Sequence, residues 1–349
     1  MRARKAAGFS QRRLGERVGV SANMIKKYER DESMPRSPIL IALAQALGVR
    51  TEYFFRPERV ELQGISYRKR ARTPRRVIDR VRVDVLDQAE RWLDLADLWP
   101  GIPVQPFTVP EGVPGEVSTL DELEAVANGV RAAWELGYNP VPDLTDVLEA
   151  HGILVIATGA DDEGGFDGMQ AWVNDQPVIV ISDHWPGDRQ RFTLAHELGH
   201  LLLQGRLSAG VDSEKAANRF AGAFLLPSRA VFQVLGKRRA ALEIRELYLL
   251  KQEFGLSMQG CLYRAADLGI ISRSWMQALF RDFRRQGWHR REPGERLPGE
   301  QTFLFQQLVY RALGQDLVSE SRAAELLGLS QMELHRQRRM GLRDATADQ

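Results

Sequence analysis

The chain has a single cysteine, Cys261, in 349 residues. That excludes a disulfide framework and predicts a protein of the reducing cytoplasm. No apolar run approaches the ~18 residues of a membrane span, and no basic-then-apolar leader is expected. Internal repeats and low-complexity tracts are also missing, so the chain reads as ordinary globular domains. Its length exceeds one typical core, and two to three domains are expected. A net charge of +2 hides an asymmetry. Residues 1–82 hold 21 Lys and Arg against 8 Asp and Glu, a balance of +13, which leaves −11 for the remainder. Any nucleic-acid contact is thereby assigned to the front of the chain.

Histidine is scarce as well, with six in all. Two of them lie in Arg191-Phe192-Thr193-Leu194-Ala195-His196-Glu197-Leu198-Gly199-His200, as H-E-x-x-H. On a helix, positions i and i+4 share a face, so His196 and His200 can present imidazoles to one metal. Glu197 sits about 100° around the helix. It can reach a metal-bound water without being a ligand, the geometry zinc hydrolysis needs. Asp188 can cap this helix, Phe192, Ala195, Leu198 and Leu202 give it an apolar stripe, and Gly205 can end it. The plainer alternative is two partly buried histidines hydrogen-bonded on an amphipathic helix.

A tetrahedral zinc needs a third protein ligand. Glu214 is the best candidate, on a second helix opened by Asp212 or Ser213 and closed by Pro227. Ala216, Ala217, Ala221 and Gly222 would let that helix approach the first closely. Asn218, one turn after Glu214, could orient Glu214 or a histidine. Otherwise Glu214 is an acidic residue favoured by the dipole of a first turn.

Together, R-F-T-L-A-H-E-L-G-H-L-L and E-x-x-A-N-x-F-A-x-x-F-L-L-P resemble the ImmA/IrrE family of zinc metallopeptidases. The resemblance extends upstream through Phe166-Asp167-Gly168 and Pro177–Ser182. It implies one Zn2+ per chain, held by His196, His200 and Glu214, with Glu197 as general base. It also implies a protein substrate, a repressor of the helix-turn-helix type or an antitoxin.

At the front, Ser10 and Ser21 can cap two short helices around Gly19, which permits the positive φ of a tight turn. Ile39, Leu40, Leu43, Leu47 and Val49 follow, interrupted by Gly48. This rhythm resembles the lambda-repressor-like (XRE) helix-turn-helix family over roughly 1–55. By that resemblance Gln11 would touch phosphate, and Ala22, Asn23, Lys26 and Lys27 would face the major groove of double-stranded DNA. Gly15 departs from the family's usual alanine, at a cost of about 1 kcal/mol in a helix interior. A small helical domain with a merely solvated basic face, or one that binds protein, is the alternative.

The remaining expectations are coarser. Val60–Arg82 reads as a basic connector, a solvated charge run or a source of extra phosphate contacts. Val77–Leu98 reads as a helix ended by Trp99-Pro100-Gly101, and Ile102–Val117 as a boundary. Leu123–Leu136 and Asp143–His151 read as helices, and Ile153–Ile156 as a strand. Asp161–Asp167 reads as an acidic loop, followed by a strand pair, Gln170–Val173 and Pro177–Ser182. Pro177–Ser182 or its neighbour could hold a substrate as an added strand. Asp167, His184 and Arg191 could lie near the site, with His184 more readily a loop residue than an oxyanion donor. Ile244–Ile271 contains a helix, a Gly-Leu-Ser turn and a helix, more readily packed on the protease than reading DNA. Arg281–Arg291 is basic, and Leu317–Arg338 is a further helix-turn-helix-like hairpin. Both fit regulation or self-association. Arg343–Gln349 reads as a frayed tail.

The expected fold is multidomain and mainly α, with an α+β catalytic domain. Its parts are a five-helix DNA-binding domain at 1–58, a basic connector and helical linker at 59–117, a zincin-like domain at 118–236, and a helical region at 237–349. The whole is expected to be a homodimeric DNA-binding regulator with a zinc endopeptidase, without membrane contact. The competing class is a DNA-binding repressor whose peptidase fold serves only as a sensor or interaction domain.

Overall fold

A computed structural model describes residues 1–49, 51–55, 60, 62–69, 73–160 and 165–340. Arg70–Arg72 of the basic run, residues 161–164 of the acidic loop and the tail Arg343–Gln349 lie outside the described residues. Packing divides the chain into two compact units, Met1–Glu61 with Arg82–Gln105 and Thr302–Gln349, and Leu62–Val81 with Pro106–Gln301.

The chain begins with α1 (Arg2–Ala6), α2 (Gln11–Val18), α3 (Ala22–Glu29) and α4 (Ser37–Leu47), then a 3-10 turn at Thr51–Phe55. The fifth helical element of the expected domain is thus only that turn. Ser10 and Ser21 accept the backbone N–H of Arg13 and Met24, capping α2 and α3 as their sequence positions require. Gly19 ends α2 at φ +75°. Leu14, Val18, Ile25 and Leu43 form the core of this domain. A Cβ on Gly15 would lie 2.5 Å from the carbonyl oxygen of Val20. A side chain at position 15 would therefore force the α2–α3 turn to shift, so Gly15 is not simply a cost in helix propensity.

The second unit opens with β1 (Leu62–Lys69), inside the segment read as a connector. The helix α5 (Arg75–Leu98) follows and runs from the second unit into the first. Next come α6 (Leu123–Ala133), α7 (Leu144–Ala150), β2 (Leu154–Thr158), β3 (Phe166–Val173) and β4 (Gln176–Ser182). The four strands order as β1-β3-β4-β2, with β2 and β4 parallel and the other pairs antiparallel. Asn174, at φ +54°, turns β3 into β4. Below the sheet lie α8 (Gly187–Leu203) and α9 (Ser213–Leu225), then α10 (Ser228–Leu235), α11 (Ile244–Phe254), α12 (Met258–Asp267) and α13 (Arg273–Arg285).

One continuous apolar core runs from Val117 to Phe283 and joins α6, the sheet and α8 to α13. The second unit therefore extends beyond the expected 118–236 on both sides. Backbone pairing on β3 draws in β1, and apolar burial draws in α11 to α13. Burial of Arg131 shows how tightly this core closes. Its guanidinium donates to the carbonyls of Gly137 (2.7 Å) and Phe224 (2.6 Å), and desolvation pushes its pKa down to about 10.

Three helices end the chain, α14 (Leu304–Gly314), α15 (Glu320–Leu327) and α16 (Gln331–Arg338). They bury Leu308, Val309, Ala323, Leu326 and Leu334 together with Leu95 of α5. Residues 302–340 thus belong with the first unit, while 237–301 belong with the second, which splits the single C-terminal region read from sequence.

Candidate metal centre and DNA-binding face

Helix α8 is buried on nearly every side, including His196 and Glu197 at 1% exposure each. Its N-terminus is tied down by the backbone N–H of Gly187 donating to Leu297. Asp188 is not the cap the sequence suggested, because the helix begins one residue earlier. Its buried carboxylate instead pairs with Lys251 at 3.0 Å, and Lys251 also meets Glu292 at 2.9 Å. Burial alone would lower the Lys251 pKa, but the bonds from Glu292 and Asp188 outweigh it and hold the ammonium above its ordinary range.

Helix α9 crosses α8 closely. A Cβ on Gly199 would stand 3.0 Å from the Phe220 ring and 3.2 Å from Cα of Ala217. Ala216, Ala217 and Ala221 are fully buried, as expected of an approach surface. Gly222 is not part of it and faces Arg264 of α12. Asp212 caps α9 by accepting the N–H of Lys215.

This crossing brings three predicted residues together. Nε2 of His200 lies 3.0 Å from Nε2 of His196 and 3.2 Å from Oε1 of Glu214. Nε2 of His196 is 3.5 Å from Oε2 of Glu214. A tetrahedral zinc with bonds of about 2.0–2.1 Å spaces its donors about 3.3–3.4 Å apart. The two nitrogens and a Glu214 carboxylate oxygen, all within 4.8 Å of one another, could therefore hold one such ion. Two nitrogens and a carboxylate oxygen are also a donor set suited to zinc. Nδ1 of His196 donates to Oδ1 of Asn218 at 3.0 Å, which fixes its Nε2 as the outward lone pair. The Glu214 side chain is 65% exposed, whereas those of His196 and His200 are 1% and 13% exposed.

On the DNA-binding side, Ala22, Asn23, Lys26 and Lys27 are all exposed on α3, while Ile25 anchors its inner face. Gln11 is held differently from expectation. Its amide donates to Glu29 at 2.7 Å, and Arg4 binds the same carboxylate. A phosphate contact by Gln11 would require that bond to open.

Residues 1–54 match the family model described as Helix-turn-helix, and residues 148–266 match the one described as IrrE N-terminal-like domain. The chain is an XRE-type helix-turn-helix fused to an IrrE/ImmA-like peptidase domain. No curated protein matches it significantly. The fusion is a DNA-binding regulator with a metallopeptidase-like domain carrying a His-His-Glu group that could hold a metal ion. No helix among its described residues is long and apolar enough to cross a membrane.

The other residues expected near the site have partners of their own. Arg191 is buried and donates to Glu300 at 2.8 Å and to carbonyls of Val141 and Pro142, so it braces the fold. Asp167 pairs with Arg189 at 2.6 Å, and Arg189 stacks on Trp185. His184 is an exposed loop residue. It lines a cavity of about 1230 Å³ shared with Phe192, Asn218, Tyr263 and Trp288. Sequence reasoning missed this cleft, because residues 288–296 form its far wall without any recognisable motif.

Pro177–Ser182 does not offer an edge, since β4 is paired on both sides. Its neighbour β3 borders α8, as β4 also does. A Cβ on Gly168 would lie 2.4 Å from Cγ2 of Thr193 and 3.8 Å from Oε1 of Glu197. The outer edge of β3 is covered by β1, with Arg68 opposite Gly168.

Proposed function

We propose that this fusion is a transcriptional regulator and a zinc-dependent endopeptidase that cleaves a repressor or antitoxin, in stress-response, prophage or mobile-element regulation. The observation that carries the reading is the convergence of His196, His200 and Glu214 beside buried Glu197. Zinc held by the three donors would lower the pKa of a water and polarise a peptide carbonyl. Glu197 acts as general base toward that water and passes the proton to the leaving amine. Asn218 holds the His196 imidazole in the tautomer whose Nε2 would be the ligating nitrogen. The substrate peptide lies along β3, which passes Glu197 at Gly168, after β1 has given way. Double-stranded DNA binds through residues 1–58 with Ala22, Asn23, Lys26 and Lys27 in the major groove, and a homodimer reads two half-sites. A DNA-binding domain supports a cytoplasmic location.

The test combines metal content with cleavage. Wild type should carry about one zinc per chain and His196→Ala none. Cells expressing wild type should contain new protein N-termini that vanish with Glu197→Gln, although that variant keeps its zinc. Zinc without any Glu197-dependent N-terminus would instead favour a repressor whose peptidase fold is a sensor. A folded wild type that takes up no zinc would remove the enzyme altogether.

A further inference from the structure

The turn between α2 and α3 recurs twice. At Gly19-Val20-Ser21, Gly255-Leu256-Ser257 and Gly328-Leu329-Ser330, a glycine at φ +75°, +71° and +70° ends one helix. Two residues later a serine hydroxyl caps the next. The third copy follows the first residue for residue. Ser10 and Ser319 cap eight-residue helices, and eight-residue helices follow each turn. Val20 donates to the Gly15 carbonyl at 2.9 Å, and Leu329 donates to the Ala324 carbonyl at 2.8 Å. Leu14, Val18 and Ile25 point inward in one, and Ala323, Leu327 and Leu334 occupy the same positions in the other.

Exposure separates the copies. Around the second turn, Leu250, Phe254, Met258, Cys261 and Leu262 are sealed in the peptidase core, so neither helix can enter a groove. In the third, α16 buries only Leu334. His335 and Arg336 stand exposed where Lys26 and Lys27 stand in α3, and exposed Arg339 matches Arg30. The one carboxylate on α16, Glu333, is turned back to the N–H of Ser330 in a capping box. The outward face is cationic and polar, with Met332 its only large apolar residue, which suits phosphate better than an apolar protein surface. α15 and α16 also belong to the same compact unit as α2 and α3.

We propose that α15 and α16 are a second DNA-reading motif, with α16 as its groove helix. One chain then contacts double-stranded DNA through two helix-turn-helix motifs.

The test is fluorescence anisotropy of the full chain on a labelled duplex of about 30 base pairs and mixed sequence, over about 50 to 200 mM salt. Each lost phosphate contact reduces the slope of log K against log salt by about 0.9. Arg336→Ala with Arg339→Ala should therefore reduce it by about 1.8 and weaken binding about tenfold or more. Arg281→Ala with Arg284→Ala, an exposed pair on α13, should leave the slope unchanged. An unchanged slope in the α16 variant overturns the proposal. So does an equal fall in the α13 variant, which would reflect only the overall field. If sedimentation shows that the α16 variant has lost self-association, α16 is a subunit contact and the proposal falls as well.

Discussion

The Nδ1 of His196 donates to Oδ1 of Asn218 across 3.0 Å, and this bond turns Nε2 of the same ring toward Glu214 and His200. The two residues sit on different helices, so the bond also fixes how α8 meets α9. Removing such a partner of a ligating histidine usually costs 10- to 100-fold in metal affinity. Asn218→Leu should keep the fold but weaken zinc binding by about that factor, measured by competition with a chromogenic chelator. Asn218→Asp, which still accepts from Nδ1, should recover most of the loss. Equal affinity in all three proteins would mean that the bond does not orient the ligand.

Gly15 gives a prediction whose sign is in dispute between two effects. Helix propensity alone says that Gly15→Ala stabilises the DNA-binding domain by about 1 kcal/mol. The missing Cβ, however, would sit 2.5 Å from the Val20 carbonyl oxygen, and that oxygen belongs to the turn itself. Overpacking of this kind costs about 1–3 kcal/mol. The structure therefore predicts a lower melting temperature for Gly15→Ala. A higher one would show that the turn relaxes freely.

The donor residues were legible because their spacing is local. His196 and His200 are one helical turn apart, and Glu214 and Asn218 are one turn apart on the next helix. The serine caps and Gly19 were legible for the same reason. β1 was not. Its end, Arg68-Lys69, opens a basic run that reads as a solvated connector, and nothing in the local pattern reveals that the backbone bonds of β1 are completed by β3, a hundred residues away. Arg191 and Asp188 were misplaced by the same blindness. Their partners, Glu300 for one and Lys251 for the other, are distant in sequence. The cleft beside Phe192 is assembled from several separate stretches of chain, and the two that carry motifs do not disclose the others that close it.

Glu124 and Arg264 offer a pH-dependent prediction. Their 2.6 Å pair ties α6 to α12, and Arg264 also donates to the Leu226 carbonyl. Burial raises the Glu124 pKa, but the hydrogen bond and charge of Arg264 outweigh it and hold the carboxyl below its usual range. A carboxylate with a depressed folded pKa stabilises fully above the ordinary value near ~4.3 and less as pH falls through the folded one. Glu124→Gln should therefore be destabilised at pH 7, by about 3–5 kcal/mol if Arg264 is left buried and unpaired. The gap from wild type should narrow as the pH is taken below ~4. A gap constant from pH 7 to pH 3 would mean that the ionised pair is not what matters.

β1 lies where an added substrate strand would have to lie, opposite Gly168 and one strand's width from the segment bordering Glu197. Strand spacing is about 4.8 Å, so two peptides cannot share that edge. If the substrate binds along β3, locking β1 in place must block cleavage. Ser66 and Gln170 are partners across the pair, at a separation a disulfide can bridge with little movement. Ser66→Cys with Gln170→Cys is also a clean design. The native Cys261 is buried, and desolvation pushes its thiol pKa far up, so it does not compete. The oxidised variant should lose at least about tenfold in Glu197-dependent cleavage while its zinc content stays the same, and a reductant should restore the rate. Loss of zinc on oxidation would trace the effect to a distorted metal centre. Cleavage that ignores the disulfide would show that the substrate reaches Glu197 by another face, and that β1 serves the sheet alone.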